Sequence, residues 1–168
     1  NDLAGIAEPA GVGVSVFQGT FTIDAAGNIK FEPPATAAGY EAWADSFSLA
    51  GADRAFDVDL DGDGLDNGAE FVVGGHPRIG ADGDKIPTLT AGAGVADFVF
   101  RRTDASAYLN SVAEYDADLL GPWTTATNGA GGVTITVAND GFAVGVDRVT
   151  VTIPVTGPVQ FVRLRVTP

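Results

Sequence analysis

Twelve residues near the middle of the chain, Asp59 to Glu70 (DLDGDGLDNGAE), constrain the fold more than any other stretch. From Asp53 to Glu70 the chain carries Asp53, Asp57, Asp59, Asp61, Asp63, Asp66 and Glu70, opposed there only by Arg54. Seven carboxylates in so short a span repel one another in a compact state unless a cation neutralises them. The run fits a twelve-residue oxygen-ligand loop position by position, with Asp59 at 1, Asp61 at 3, Asp63 at 5, Gly64 at 6 and Glu70 at 12. Alternate side chains of such a loop converge on one point, and Gly64 permits the sharp turn. Leu65 offers its backbone carbonyl. Asn67, at position 9, completes the sphere by its side chain or through a water. Glu70 closes it with two oxygens from the first turn of the following helix.

Oxygen-only ligation by several carboxylates favours Ca2+ over Mg2+, which keeps a small octahedral shell, and over Zn2+, which prefers nitrogen and sulfur. Asp57 has the right phase but lacks the matching glycine, so it reads as a flanking acid. Whether a second calcium site uses Asp57, Asp82 or Asp84 is left open by the sequence. Asp66 occupies position 8, where paired sensor loops place an apolar residue, so a single unpaired loop is expected. Such a loop binds weakly, at about 10⁻⁴ to 10⁻³ M, which is useful only where calcium is millimolar and so points outside the cytoplasm.

Around this loop the chain alternates between two periods. Thr20 to Asp24 and Asn28 to Glu32 flank a short Ala-Ala-Gly loop and predict an antiparallel hairpin. Before it, Val12, Val14 and Val16 alternate with small residues and predict a strand with one narrow apolar edge. From Ala35 to about Ala50 the period becomes 3.6: Tyr40, Trp43, Ala44 and Phe47 fall on one helical face, read as a core stripe. Leu65 to Val73 predicts a second short helix, stopped by Gly74 and Gly75.

Beyond Pro87 the alternation returns at Ala96–Arg102, Tyr108–Tyr115, Gly132–Ala138, Phe142–Val155 and Val159–Val166, divided by turns such as Asn139-Asp140-Gly141. Five strands at this spacing predict a sandwich. The expected fold is therefore mostly β: an antiparallel β-sandwich with a small helix–calcium loop–helix insertion and an N-terminal strand and hairpin. The expected parts are residues 1–34, 35–87 and 88–168.

The stretch from Tyr40 through Pro87, reading YEAWADSFSL, AGADRAFDVDLDGDGLDNGAEFVVGGHP and DGDKIP, resembles a segment recurrent near the C-termini of secreted verrucomicrobial and planctomycete surface proteins. In that family a Trp-containing helix leads into a calcium loop, a short helix and a terminal β-domain. The loop itself is similar to thrombospondin type 3 and dockerin repeats. Arg101-Arg102-Thr103-Asp104 and the final RLRV extend the resemblance over about residues 36–168. The resemblance implies calcium ligation by Asp59, Asp61, Asp63, Asn67 and Glu70, and no catalysis. A dockerin carries two tandem loops where this chain has one.

The 168 residues carry 9 Lys and Arg against 22 Asp and Glu, a net of −13 that repels phosphate backbones and anionic lipid and argues against nucleic-acid binding. No apolar run is long enough to span a bilayer as a helix, and without cysteine there is no disulfide or thiolate site. His76 is the single histidine, set in GGHPRIG with no second nitrogen or sulfur ligand, and reads as a loop residue. No nucleophile elbow, P-loop or zinc-protease motif occurs, so no enzyme is expected.

The expectation for function is a secreted, non-catalytic calcium-binding structural or adhesive protein. It would be a homo-oligomer or filament subunit that adds its N-terminal strand to a neighbouring copy. The alternative is an accessory module binding polysaccharide, with Trp123 as the candidate stacking residue against a reading as a core plug at a strand end.

Overall fold

The computed structural model describes residues 20–23, 27, 29–32, 35–80, 82–155, 157 and 160–168. Its elements are β1 (Thr20–Ile23), β2 (Ile29–Glu32), α1 (Ala35–Ser46), α2 (Asn67–Val73), β3 (Thr88–Ala91), β4 (Val95–Thr103), β5 (Asn110–Asp116), β6 (Thr124–Thr125), β7 (Thr134–Ala143), β8 (Val146–Pro154) and β9 (Phe161–Thr167). The strand expected at Val12, Val14 and Val16 lies outside the described residues. The chain divides into two compact units, Asn1–Ala35 and Thr36–Pro168. In the first, β1 pairs antiparallel with β2 from Thr20↔Glu32 to Ile23↔Ile29, the hairpin read from the sequence.

In the second unit, alternation makes a sandwich of two antiparallel sheets, ordered β3-β4-β8-β7 and β6-β5-β9. Phe98 and Phe100 of β4 and Val149, Val151 and Ile153 of β8 face inward, meeting Ala113 of β5 with Val162 and Leu164 of β9 packed alongside. The intervening residues of β4, Asp97, Val99 and Arg101, stand on the outer face, as period-two alternation requires. The outward arginines of β9 also behave as read: Arg163 and Arg165 are exposed while Leu164 and Val166 pack inward.

Two details differ from the sequence reading. Residues Asn139–Gly141 do not end a strand; β7 runs on to Ala143, with a register shift between Ala138 and Ala143, and reverses at Val144–Gly145. Asp140, at φ 55°, explains this: its carboxylate accepts from Gly145 N at 2.6 Å, while its own amide donates to Asp147 Oδ1 at 3.2 Å. The turn chemistry is spent on a bulge. The short edge strand β3 was not anticipated, because its four residues are all exposed and show no apolar face.

α1 carries the expected stripe. Tyr40 and Ala44 are buried with Leu49, Phe71, Val72 and Leu109, and Trp43 and Phe47 pack against them. Tyr40 stands with its ring centroid 5.0 Å from Phe56 and 5.8 Å from Phe71, which locks α1 onto the acidic segment and α2. The helix ends earlier than its apolar pattern, since Ser48 turns left-handed (φ 55°) and its amide donates to Asp45 O at 2.9 Å. Among the described residues no helix is long and apolar enough to cross a membrane.

The second sheet contains one buried charge. Glu114, only 4% exposed, accepts from Arg163 at 2.7 Å and Arg165 at 3.2 Å. Burial pushes its carboxyl up, but the two guanidiniums outweigh burial and hold it below the ordinary value of 4.5. A depressed acid contributes stability above its unfolded pKa and loses it as pH falls through the folded one. Because both arginines are half in water, Glu114→Gln should cost only about 1–2 kcal/mol at pH 7. The gap between variant and parent should narrow towards pH 3, which urea denaturation at the two pH values will show.

Candidate metal centre

The acidic loop is folded by its own carboxylates. Asp59 accepts from Gly62 N at 2.7 Å through Oδ1 and from Gly64 N at 3.0 Å through Oδ2. Asp61 Oδ1 accepts from Asp63 N at 3.2 Å, and Asp63 Oδ1 accepts from Leu65 N at 2.8 Å. Gly64 sits at φ 94°, a conformation that a β-carbon would strain, which is why the loop has glycine at its sixth position. The result brings carboxylate oxygens of Asp59, Asp61 and Asp63 within 4.8 Å of one another, so this group can hold a metal ion.

Helix α2 delivers the other candidates. Asp66 caps it by accepting from Ala69 N at 2.8 Å, and Gly74 closes it at φ 74°. Its first turn is bolted to the preceding turn: Asn67 N donates to Val58 O and Gly68 N to Phe56 O, both at 2.9 Å. Asn67 is 1% exposed, and its Nδ2 donates to Asp53 O at 2.9 Å and Ala55 O at 2.7 Å. The amide thus anchors the entry to the loop, leaving only Oδ1 for a ligand role.

Glu70 is 1% exposed, yet neither of its carboxylate oxygens has a hydrogen-bond partner. Asp61 Oδ2, Asp63 Oδ2 and Asn67 Oδ1 are also buried and unpartnered. Burial, then Asp63, Asp61 and Asp82, push the Glu70 carboxyl up to about 8, and Lys85 opposes them. Glu70 is not one of the carboxylates gathered within 4.8 Å; the three aspartates form the tight group, and Glu70 on α2 lies near enough for Asp63 and Asp61 to act on its carboxyl. Buried carboxylates without partners are strongly disfavoured in a folded protein. A donor set made only of oxygen satisfies them with a hard cation.

Sequence reasoning missed the other wall of the site. A β-carbon on Gly75 would lie 2.7 Å from Glu70 Oε2, and one on Gly80 would lie 3.2 Å from Asp63 Cβ. The segment after α2 therefore closes over the carboxylates and brings Asp82, paired with Lys85 at 2.9 Å, into electrostatic range of Glu70. The sequence held one signal for this, the density of glycines in GGHPRIGADG. Asp57 is exposed, and Asp84 lines a separate cavity on the outer face of the first sheet.

His76 is a loop residue whose ring meets Phe47 edge-on, centroids 4.6 Å apart, and whose Nδ1 accepts from Arg78 N at 3.2 Å. Trp123 is half-buried, stands outside the buried core cluster, and has the Arg163 guanidinium carbon 4.1 Å from its ring centroid. One face of the indole is therefore covered by a guanidinium. No family model matches this chain, and neither a curated protein nor a solved structure matches it.

Proposed function

We propose that the Asp59–Glu70 loop binds calcium and that the protein is a non-catalytic structural module working outside the cell. The observation that carries this reading is Glu70: a carboxylate with both oxygens buried and unpartnered, opposite Asp61 and Asp63. The Leu65 carbonyl and Asn67 Oδ1 complete an oxygen shell. Calcium held there joins the loop, α2 and the covering segment through Asp82 into one stiff unit.

Calorimetric titration should give a dissociation constant of about 10⁻⁴ to 10⁻³ M for calcium and much weaker binding of magnesium. At a hundredfold excess over that constant, calcium should add about 2.7 kcal/mol of stability. Chelation should correspondingly lower the melting temperature and open residues 53–85 to protease. A melting curve unchanged by chelator would end the reading.

Assembly through strand addition is part of the same proposal. Its supporting feature is β9, seven residues long and at the edge of its sheet, which offers a backbone ladder for another chain. Removing residues 1–18 should convert any calcium-dependent polymer seen by light scattering into a folded monomer. Polymers that persist in the truncated chain would count against strand donation.

A further inference from the structure

Of the 9 basic residues in this acid-rich chain, two stand out. Arg101 and Arg148 are the arginines with no carboxylate partner among the described residues; every other arginine is ion-paired. They are also direct cross-strand partners, Arg101 of β4 opposite Arg148 of β8, on the outer face of the first sheet. Like charges directly opposite destabilise a sheet, and with 22 acids available a neutralising partner would be easy to place. Instead both guanidiniums converge on one ring: their central carbons lie 4.9 and 4.4 Å from the centroid of Phe142. Cation–π contact offsets part of the repulsion and holds the two groups side by side. Arg101 Nε donates to Val73 O at 3.2 Å, which fixes its plane and leaves its terminal nitrogens for a ligand.

These residues line a cavity of about 270 Å³ together with Thr88, Thr90, Val99, Ile86 and Asp84. That is below the usual range for drug-sized ligands and suits one ring-sized group. Two guanidinium forks are suited to a carboxylate, which accepts two parallel hydrogen bonds from each planar donor. The threonine hydroxyls and the Asp84 carboxylate offer donors and acceptors for alcohols, and Val99 and Ile86 offer an apolar wall for a C–H face. Asp84 also disfavours a ligand that brings negative charge without hydroxyls.

The geometry points to a binding site for a uronic-acid unit of an acidic saccharide, with Arg101 and Arg148 holding the carboxylate and Thr88, Thr90 and Asp84 meeting the ring hydroxyls. This site is separate from the calcium loop and stands whether or not that loop binds calcium.

Calorimetry on the full chain tests it with trigalacturonate, and with maltotriose, sulfate and pentaglutamate as controls. Trigalacturonate should bind; maltotriose should not, and sulfate and pentaglutamate should bind at least about tenfold more weakly. Arg148→Gln should weaken trigalacturonate by about tenfold or more. Arg148 is exposed, so the fold should tolerate the change, and an unaltered melting temperature checks this. Thr90→Val, which keeps both charges, should weaken binding severalfold.

No binding of trigalacturonate, or equal binding of maltotriose, would overturn the assignment. Equal or tighter binding of sulfate would make the cleft a simple anion site, and equal binding of pentaglutamate would make it a peptide site; either result overturns the saccharide. Affinity unchanged in Arg148→Gln would place the contact elsewhere, as calcium bridging at the acidic loop would.

Discussion

Glu70→Gln is expected to abolish calcium binding and, in chelator at pH 7, to make the protein more stable than its parent by about 3 kcal/mol. The sign follows from the raised carboxyl. Glu70 titrates at about 8 in the fold against an ordinary 4.5, so between those values the unfolded chain is ionised while the folded one retains the proton. Folding then takes up a proton, and stability falls as pH rises through that window. Glutamine removes the charge at nearly constant volume and so removes the penalty.

At pH 5, close to the unfolded value, the advantage should shrink to below about 1 kcal/mol. In saturating calcium the order reverses or closes, because only the parent gains binding energy. Urea denaturation with calcium and with chelator, at both pH values, gives all four numbers. A variant that still responds to calcium, or that is less stable than the parent in chelator at pH 7, would remove Glu70 from the site.

The second large effect comes from a helix position that helix propensity alone would misjudge. Alanine is favoured over glycine inside a helix by about 1 kcal/mol, so Gly68→Ala in α2 would ordinarily stabilise. Here a β-carbon would fall 2.1 Å from Phe56 Cε1 and 2.4 Å from its Cζ, within a turn whose carbonyl already receives the Gly68 amide. The ring is held in turn by Tyr40 at 5.0 Å, so it has little room to retreat. Overpacking of this degree should cost about 3 kcal/mol or more. It should also lower calcium affinity at least about tenfold, since the first turn of α2 carries Glu70 and cannot shift without moving it. Phe56→Leu in the same chain should recover part of both losses; a double variant no better than Gly68→Ala would show that the clash lies elsewhere.

What the sequence disclosed was local. The Tyr40–Phe47 stripe, the alternation of Val162, Leu164 and Val166, and the spacing of Asp59, Asp61 and Asp63 are all written in consecutive residues, and each appears in the structure as read. The features that escaped depend on residues distant in the chain. The closeness of Gly75 to the Glu70 carboxylate needs the chain to double back past the helix. The opposition of Arg101 to Arg148 needs the register of two strands that are not adjacent in sequence. Asn67 was read as a candidate ligand, but its anchoring role escaped: its nitrogen ties down Asp53 and Ala55 while its oxygen stays unpartnered, and loop spacing speaks only to the oxygen. Asn139-Asp140-Gly141 misled because the residues that make tight turns also make bulges.

The attachments of α2 determine how this site can behave over time. Seven residues would fray if left alone. Here the Phe56 and Val58 carbonyls hold the leading turn, Thr103 Oγ1 donates to Phe71 O at 3.0 Å, and Arg101 donates to Val73 O at the trailing end. The leading end is thus tied to the acidic segment and the trailing half to β4. An ion leaving this centre would therefore free the loop and the covering segment to protease before it freed the fastened ends of α2. On the function proposed above, the centre would act as a clasp that tightens one joint rather than as a signal relay that reports each arrival.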